Sequence, residues 1–182
     1  MKSKFFTFFI IIIVVIIALN TKNILKHFYP VKYLTYVKTY STKNKIDPYF
    51  VLAVIRSESD FNNDAKSNKS AYGLMQITPE TADWAAKKMG INNFKTDDLY
   101  NPEINIEIGC WYIKDLSNEF NGDKTLILAA YNGGRGNVKK WLNNKANSKD
   151  GKTLHYIPYG ETSKYVKKVM SDYEIYKRLY GN

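Results

Sequence analysis

A chain of 182 residues, 45% of them apolar, has material for one domain with a true core and too little for two ordinary ones. The formal net charge of +10 favours acidic partners, whether nucleic acid, anionic membrane or anionic cell-wall polymer, but the lysines are scattered and no nucleic-acid-binding motif accompanies them. Cys110 is the only cysteine, which excludes an intrachain disulfide, and no Cys/His cluster has metal-ligand spacing, so neither metal nor cofactor is expected.

In chain order, Lys2 and Lys4 precede Phe5-Phe6-Thr7-Phe8-Phe9 and an unbroken apolar run from Ile10 to Leu19. This is the layout of a secretory signal, a charged stretch followed by an apolar one. No small-x-small cleavage site and no lipobox cysteine follow, so an uncleaved signal-anchor is the preferred expectation, with removal after Leu19 as the alternative. The run is short for a membrane helix, and Thr21 to Leu25 would help complete it. Residues 1–27 are read as a membrane segment and linker, and residues 28–182 as a domain outside the cytoplasm.

Tyr33, Tyr36, Val37 and Tyr40 recur at helical spacing, and Ser41 to Lys45 read as a polar break. Asp47-Pro48 is a helix-start signature, and the helix it opens is apolar almost all round, which marks it as central. Thr78-Pro79-Glu80 opens another helix, ended by Gly90; Asn101-Pro102 starts one running to about Phe120. Thr125 to Tyr131 forms a helix stopped by Gly133-Gly134, Val138 to Leu142 a short one, and Ser163 to Tyr180 the last, with Tyr165, Val166, Val169, Tyr173 and Tyr176 as its apolar face. No alternating strand stands out. The expected class is mainly α.

Glu58 is the residue that needs explaining. Val51, Val54, Ile55 and Glu58 stand at i, i+3, i+4 and i+7, so Glu58 extends the buried stripe of the most apolar helix. A desolvated carboxyl keeps its proton toward neutral pH, as a general acid must. On pattern alone, a helix that ends at Ser57 and leaves Glu58 in solvent is the commoner outcome. Two further strings carry polar groups beside flexible backbone: Ala71-Tyr72-Gly73-Leu74-Met75-Gln76 and Ala129-Ala130-Tyr131-Asn132-Gly133-Gly134. Alone, the first is modest evidence, since Leu74 and Met75 also suit a core, and the second reads better as a packed Tyr131 with Asn132 capping the helix.

Together these strings resemble the transglycosylase domain of the soluble lytic transglycosylase family, which has a lysozyme-like fold. The resemblance runs from about Tyr29 to Tyr180. It rests on Ala53 to Ser59, Gly73 to Ala82, Asn101-Pro102 with Asn105-Ile106 and Gly109, Ala130-Tyr131-Asn132 with Gly134, and Ile157-Pro158-Tyr159 with Glu161-Thr162. It implies a central buried catalytic helix with Glu58 as sole acid/base. It also implies a substrate groove that uses Ser59, Ser67, Gly73, Met75, Gln76, Tyr131, Asn132 and Glu161. The Tyr131 hydroxyl is expected to bond the Glu58 carboxyl or the substrate N-acetyl group, with Glu161 at the rim orienting sugar hydroxyls. Asn63, Ser70 and Gly133 depart from the family pattern, where Pro, Gly and Ala are frequent.

The implied activity is cleavage of peptidoglycan strands between N-acetylmuramic acid and N-acetylglucosamine with 1,6-anhydro ring formation. The expected partners are glycan strands and, through the N-terminal segment, membrane; nucleic acid is not one. The rivals are a hydrolase of the goose-type lysozyme kind and a non-catalytic peptidoglycan-binding module.

Overall fold

The computed structural model describes residues 2–181, and side chains for all of these except 2–5, 8, 13, 14 and 17–19. Eight α-helices are present among the described residues: α1 (Lys2–Phe28), α2 (Leu34–Asn44), α3 (Pro48–Ser59), α4 (Pro79–Met89), α5 (Pro102–Glu119), α6 (Lys124–Gly133), α7 (Arg135–Leu142) and α8 (Gly160–Tyr180). A 3-10 turn, Thr96–Tyr100, precedes α5. No strand forms among the described residues; isolated bridges join Tyr72 to Lys66 and to Ile77. The mainly helical expectation holds.

The helix starts follow from local chemistry. The Asp47 carboxylate accepts from the Tyr49 N–H at 2.9 Å, Thr78 Oγ1 from Thr81 N–H, and the Asn101 side chain from Glu103 and Ile104 N–H. In each case a proline follows the cap, where its missing N–H costs no helical bond. Gly90 closes α4 at φ 74, a left-handed geometry that glycine adopts freely.

Several boundaries differ from expectation, among them the start of α7, which lies at Arg135 and not Val138. The segment Ser41–Asn44 continues α2 because Ser41 is buried, and Lys45 then ends the helix by donating its N–H to the Ser41 and Thr42 carbonyls. The last helix starts at Gly160, three residues early, which places Glu161 in its first turn.

Six consecutive residues of α3, Phe50 to Ile55, are buried, so α3 is the centre of the core. Its main partner is α8, while α2 packs on α5 and α6 is clasped by α7 and α8. This arrangement presents the C-terminal turn of α3 to the loop 60–78, to α6 and to α8.

Among the described residues no helix is long and apolar enough to cross a membrane. Much of the expected anchor falls on side chains outside the described ones. Those that are described, including Phe6, Phe9, Ile11, Val15 and Ile16, are exposed. The junction of α1 with the domain is tightly knit. Arg56 of α3 donates through Nη1 to the Phe28 carbonyl at 2.7 Å and stacks over the Tyr29 ring at 4.2 Å. Tyr176 and Tyr180 of α8 donate to the Pro30 and Tyr29 carbonyls.

Candidate active site

Glu58 sits in the last turn of α3, one residue before its end. It is partly buried, and desolvation pushes its carboxyl up to about 7; the Glu161 carboxylate adds to that rise, while the Tyr165 hydroxyl and the Lys168 ammonium oppose it. The Tyr165 hydroxyl is fully buried and faces this carboxyl without closing a hydrogen bond of normal geometry. Tyr131 approaches from α6, near enough for the Glu58 charge to help burial hold its phenol well above the ordinary range. Glu58 is therefore an acid still half protonated near neutral pH, walled by two phenols.

Among the described residues, Asp60 and Glu161, the two acids to consider as partners, are each held by a cation. Asp60 has left the helix in a left-handed conformation, is 80% exposed, and leans back to Arg56 at 3.6 Å. Glu161 is exposed, and both its oxygens take the Lys69 ammonium, at 3.1 and 3.2 Å.

The loop below Glu58 is held by bonds inside the protein. Ser59 Oγ donates to the Leu74 carbonyl at 2.8 Å, tying the end of α3 to the loop. Ser67 Oγ accepts from Ala71 N–H, and Gln76 Nε2 donates to the Ala65 and Gly73 carbonyls. Met75 is fully buried with its sulfur against Gly109, where a side chain on residue 109 would collide with it. Gly73, at φ 71, has no room for a Cβ against the Leu99 carbonyl and Asn105. Ser59, Ser67, Gly73, Met75 and Gln76 are thus gathered in one place and shape the floor.

Asn105, fully buried in α5, is the keystone of that floor. Its Oδ1 accepts from Met75 N–H at 2.8 Å, and its Nδ2 donates to the Tyr72 and Leu99 carbonyls at 2.9 and 2.8 Å. Ser70, where the resemblance favours glycine, adopts φ 54, a conformation that glycine would take without strain.

The expected Tyr131 bond to Glu58 is not what the structure holds. The Tyr131 hydroxyl donates instead to the Met75 carbonyl of the floor loop, at 2.7 Å. Asn132 Oδ1 accepts from Thr162 Oγ1 at 2.7 Å, linking α6 to the start of α8. Asn132, Gly133, Tyr159, Glu161 and Lys69 line a surface cavity of about 510 Å³. Sequence reasoning missed Tyr165 and Lys168. Tyr165 reads as an ordinary core residue on the apolar face of α8, and only the packing of α8 on α3 brings it to Glu58.

On the far side of Tyr131, Tyr112 lies at 5.4 Å between ring centres, and beyond it Trp84, Thr81, Glu80 and Arg135 complete a second cavity of about 390 Å³. The Arg135 guanidinium lies over the Trp84 ring at 4.9 Å.

Comparison with known proteins agrees with this geometry. The family model "Transglycosylase SLT domain" matches residues 35–154. The soluble lytic murein transglycosylase of Escherichia coli K12 is 35% identical over 158 residues, covering 86% of this chain and 24% of that protein. Membrane-bound lytic murein transglycosylase C of Photorhabdus laumondii is 36% identical over 116 residues, covering 59% of this chain and 32% of that protein. Among solved structures, the 70 kDa soluble lytic transglycosylase of E. coli superimposes with a TM-score of 0.78 at 33% identity, over 87% of this chain and 26% of that one. An inactive variant of the Pseudomonas aeruginosa enzyme gives 0.76 at 31% identity, over 86% of this chain and 26% of that one. The chain spans about a quarter of the length of these soluble relatives. By sequence and by fold, the chain belongs to the transglycosylase SLT domain family, with the lysozyme-like architecture of that family.

Proposed function

We propose that the chain is a peptidoglycan lytic transglycosylase in which Glu58 serves first as acid and then as base. The observation that carries this reading is a partly buried carboxyl raised to about 7, while Asp60 and Glu161 are exposed and paired with cations. Glycosidases that work by two carboxylates place them on opposite sides of the scissile bond; Asp60 and Glu161 are each engaged elsewhere. In the proposed reaction Glu58 gives its proton to the oxygen joining N-acetylmuramic acid to N-acetylglucosamine, and the C1–O bond breaks. The substrate N-acetyl group steadies the positive charge at C1. The C6 hydroxyl then attacks C1 and returns its proton to Glu58, so the 1,6-anhydro ring closes, the acid is regenerated, and water is not consumed.

Around this centre, Ser59, Ser67, Gly73, Met75 and Gln76 act as a preorganised floor. Tyr131 fixes the floor to α6, and Asn132 and Glu161 border the sugar-binding surface. The inactive Pseudomonas relative carries a glutamate-to-glutamine change, which supports dependence on one glutamate. The N-terminal run through Leu19, extended by α1 to Phe28, acts as a membrane anchor for the 28–182 domain; one of the relatives is itself membrane-bound.

Digestion of purified sacculi followed by mass spectrometry tests the chemistry. Products ending in 1,6-anhydro-muramic acid support it, whereas reducing ends indicate a hydrolase of the goose-type lysozyme kind. Glu58→Gln is expected to lower turnover by at least ~10²-fold, the low end for acid/base groups. Activity of that variant close to the parent's would point to another catalyst, and no activity in the parent to a binding module.

A further inference from the structure

Beside the C-terminal turn of α3, a cavity of about 430 Å³ opens where α1 meets the domain; His27, Phe28, Lys32, Arg56, Asp60 and Lys168 line it. We propose that this cavity is a docking site for the phosphate-bearing headgroup of an anionic phospholipid, an inference that rests on the anchor reading above.

The first argument is charge. Lys32, Arg56 and Lys168 bring three cations to one concavity, against the single carboxylate of Asp60. Asp60 is 80% exposed and leans on Arg56 at 3.6 Å, so it does not neutralise the two lysines. The other acid nearby, Asp172, is buried and takes Arg56 Nε at 3.4 Å and the Tyr29 hydroxyl at 3.2 Å. Lys32 and Lys168 are exposed; Lys168 makes a long bond to the Ser57 carbonyl, at 3.4 Å, and its charge also reaches Glu58. The cavity therefore presents a net positive lining, with the Lys32 ammonium free to turn toward an anion and the Lys168 ammonium shared between the cavity and Glu58.

The second argument is depth. A hydrocarbon core about 30 Å thick takes about 20 helical residues at 1.5 Å each. A span starting near Phe5 leaves the core near Ile24, and the headgroup layer then begins where Lys26, His27 and Phe28 end α1. The cavity lies at that level by construction, since Arg56 caps the Phe28 carbonyl. Phe28, 61% exposed at its rim, would face the boundary with the acyl chains. A free anion in bulk water needs no such apolar rim.

The test uses the full chain in lipid nanodiscs made of phosphatidylcholine with a minority of phosphatidylglycerol. Native mass spectrometry reads which lipid stays with the released protein. Preferential retention of phosphatidylglycerol is expected, falling about fivefold for each lysine removed in Lys32→Gln and Lys32→Gln/Lys168→Gln. Equal retention of the two lipids, or a preference unchanged in the double variant, overturns the proposal. So does loss of the retained lipid on adding inorganic phosphate, which would identify a free-phosphate site. A chain that never enters the discs defeats the anchor reading itself, a result separable from the others.

Discussion

The buried hydroxyl of Tyr165 faces the carboxyl of Glu58 and has no other partner, so its effect falls on that one acid. It favours the ionised form of Glu58 and so holds the carboxyl below where burial alone would put it. Tyr165→Phe should raise that pKa above about 7. In the proposed mechanism the free enzyme must carry a protonated Glu58, so the alkaline limb of the kcat/KM profile should move to higher pH. A purely structural tyrosine would lower the melting temperature and leave the limb in place.

Glu58 should also make the fold less stable than it need be. Its folded-state pKa of about 7 lies above the unfolded value of 4.5, so the folded state holds the proton more tightly. Stability from this group is therefore highest below pH 4.5 and declines as pH rises through about 7. Glu58→Gln, which cannot ionise, should be more stable than the parent at pH 8, by up to about 3 kcal/mol, with the gain vanishing near pH 4. Urea denaturation at the two pH values measures the difference, and a gain independent of pH would contradict the account.

Tyr131→Phe should behave unlike Tyr165→Phe. Its hydroxyl bonds the Met75 carbonyl, so its loss leaves a backbone acceptor unpaired and should cost about 1–2 kcal/mol of stability. The alkaline limb set by Glu58 should not move. A shifted limb in this variant would show that Tyr131 acts on the acid directly.

Asn105→Ala should be among the most damaging substitutions outside the cleft. Three backbone groups, of Met75, Tyr72 and Leu99, lose their partner at once in a dry interior. A loss of at least about 3 kcal/mol is expected from the usual cost of orphaned buried groups. Asn105→Asp, which keeps the acceptor and loses the donor, should retain part of the Met75 bond; equal stability of both variants and the parent would refute the keystone role.

How much of this the sequence discloses depends on the kind of residue. The caps Asp47, Thr78 and Asn101 act within three residues of themselves, so their helices start where the pattern places them. The stripe Val51, Val54, Ile55 marks α3 as central because burial follows the helical period. Tyr165 and Asn105 are different. Their partners lie far away along the chain, on α3 and on the loop around Gly73, and nothing local distinguishes a tyrosine that packs from one that faces a buried carboxyl. Tyr131 shows the converse: its position was legible, but the target of its hydroxyl, the Met75 carbonyl, was not.

The Arg56 bond to the Phe28 carbonyl changes what a tether means for this protein. Five residues separate α1 from α2, and a flexible linker of that length would sweep only about 12 Å. Arg56, Tyr176 and Tyr180 remove even that freedom by pinning the carbonyls of Phe28, Pro30 and Tyr29 to α3 and α8. A domain carried this way does not swing on a leash. With α1 in a bilayer it would ride at a fixed height and heading, like a blade set in a handle. It would find new strands by lateral diffusion of the whole molecule and cut only those glycans within one domain's height of the membrane.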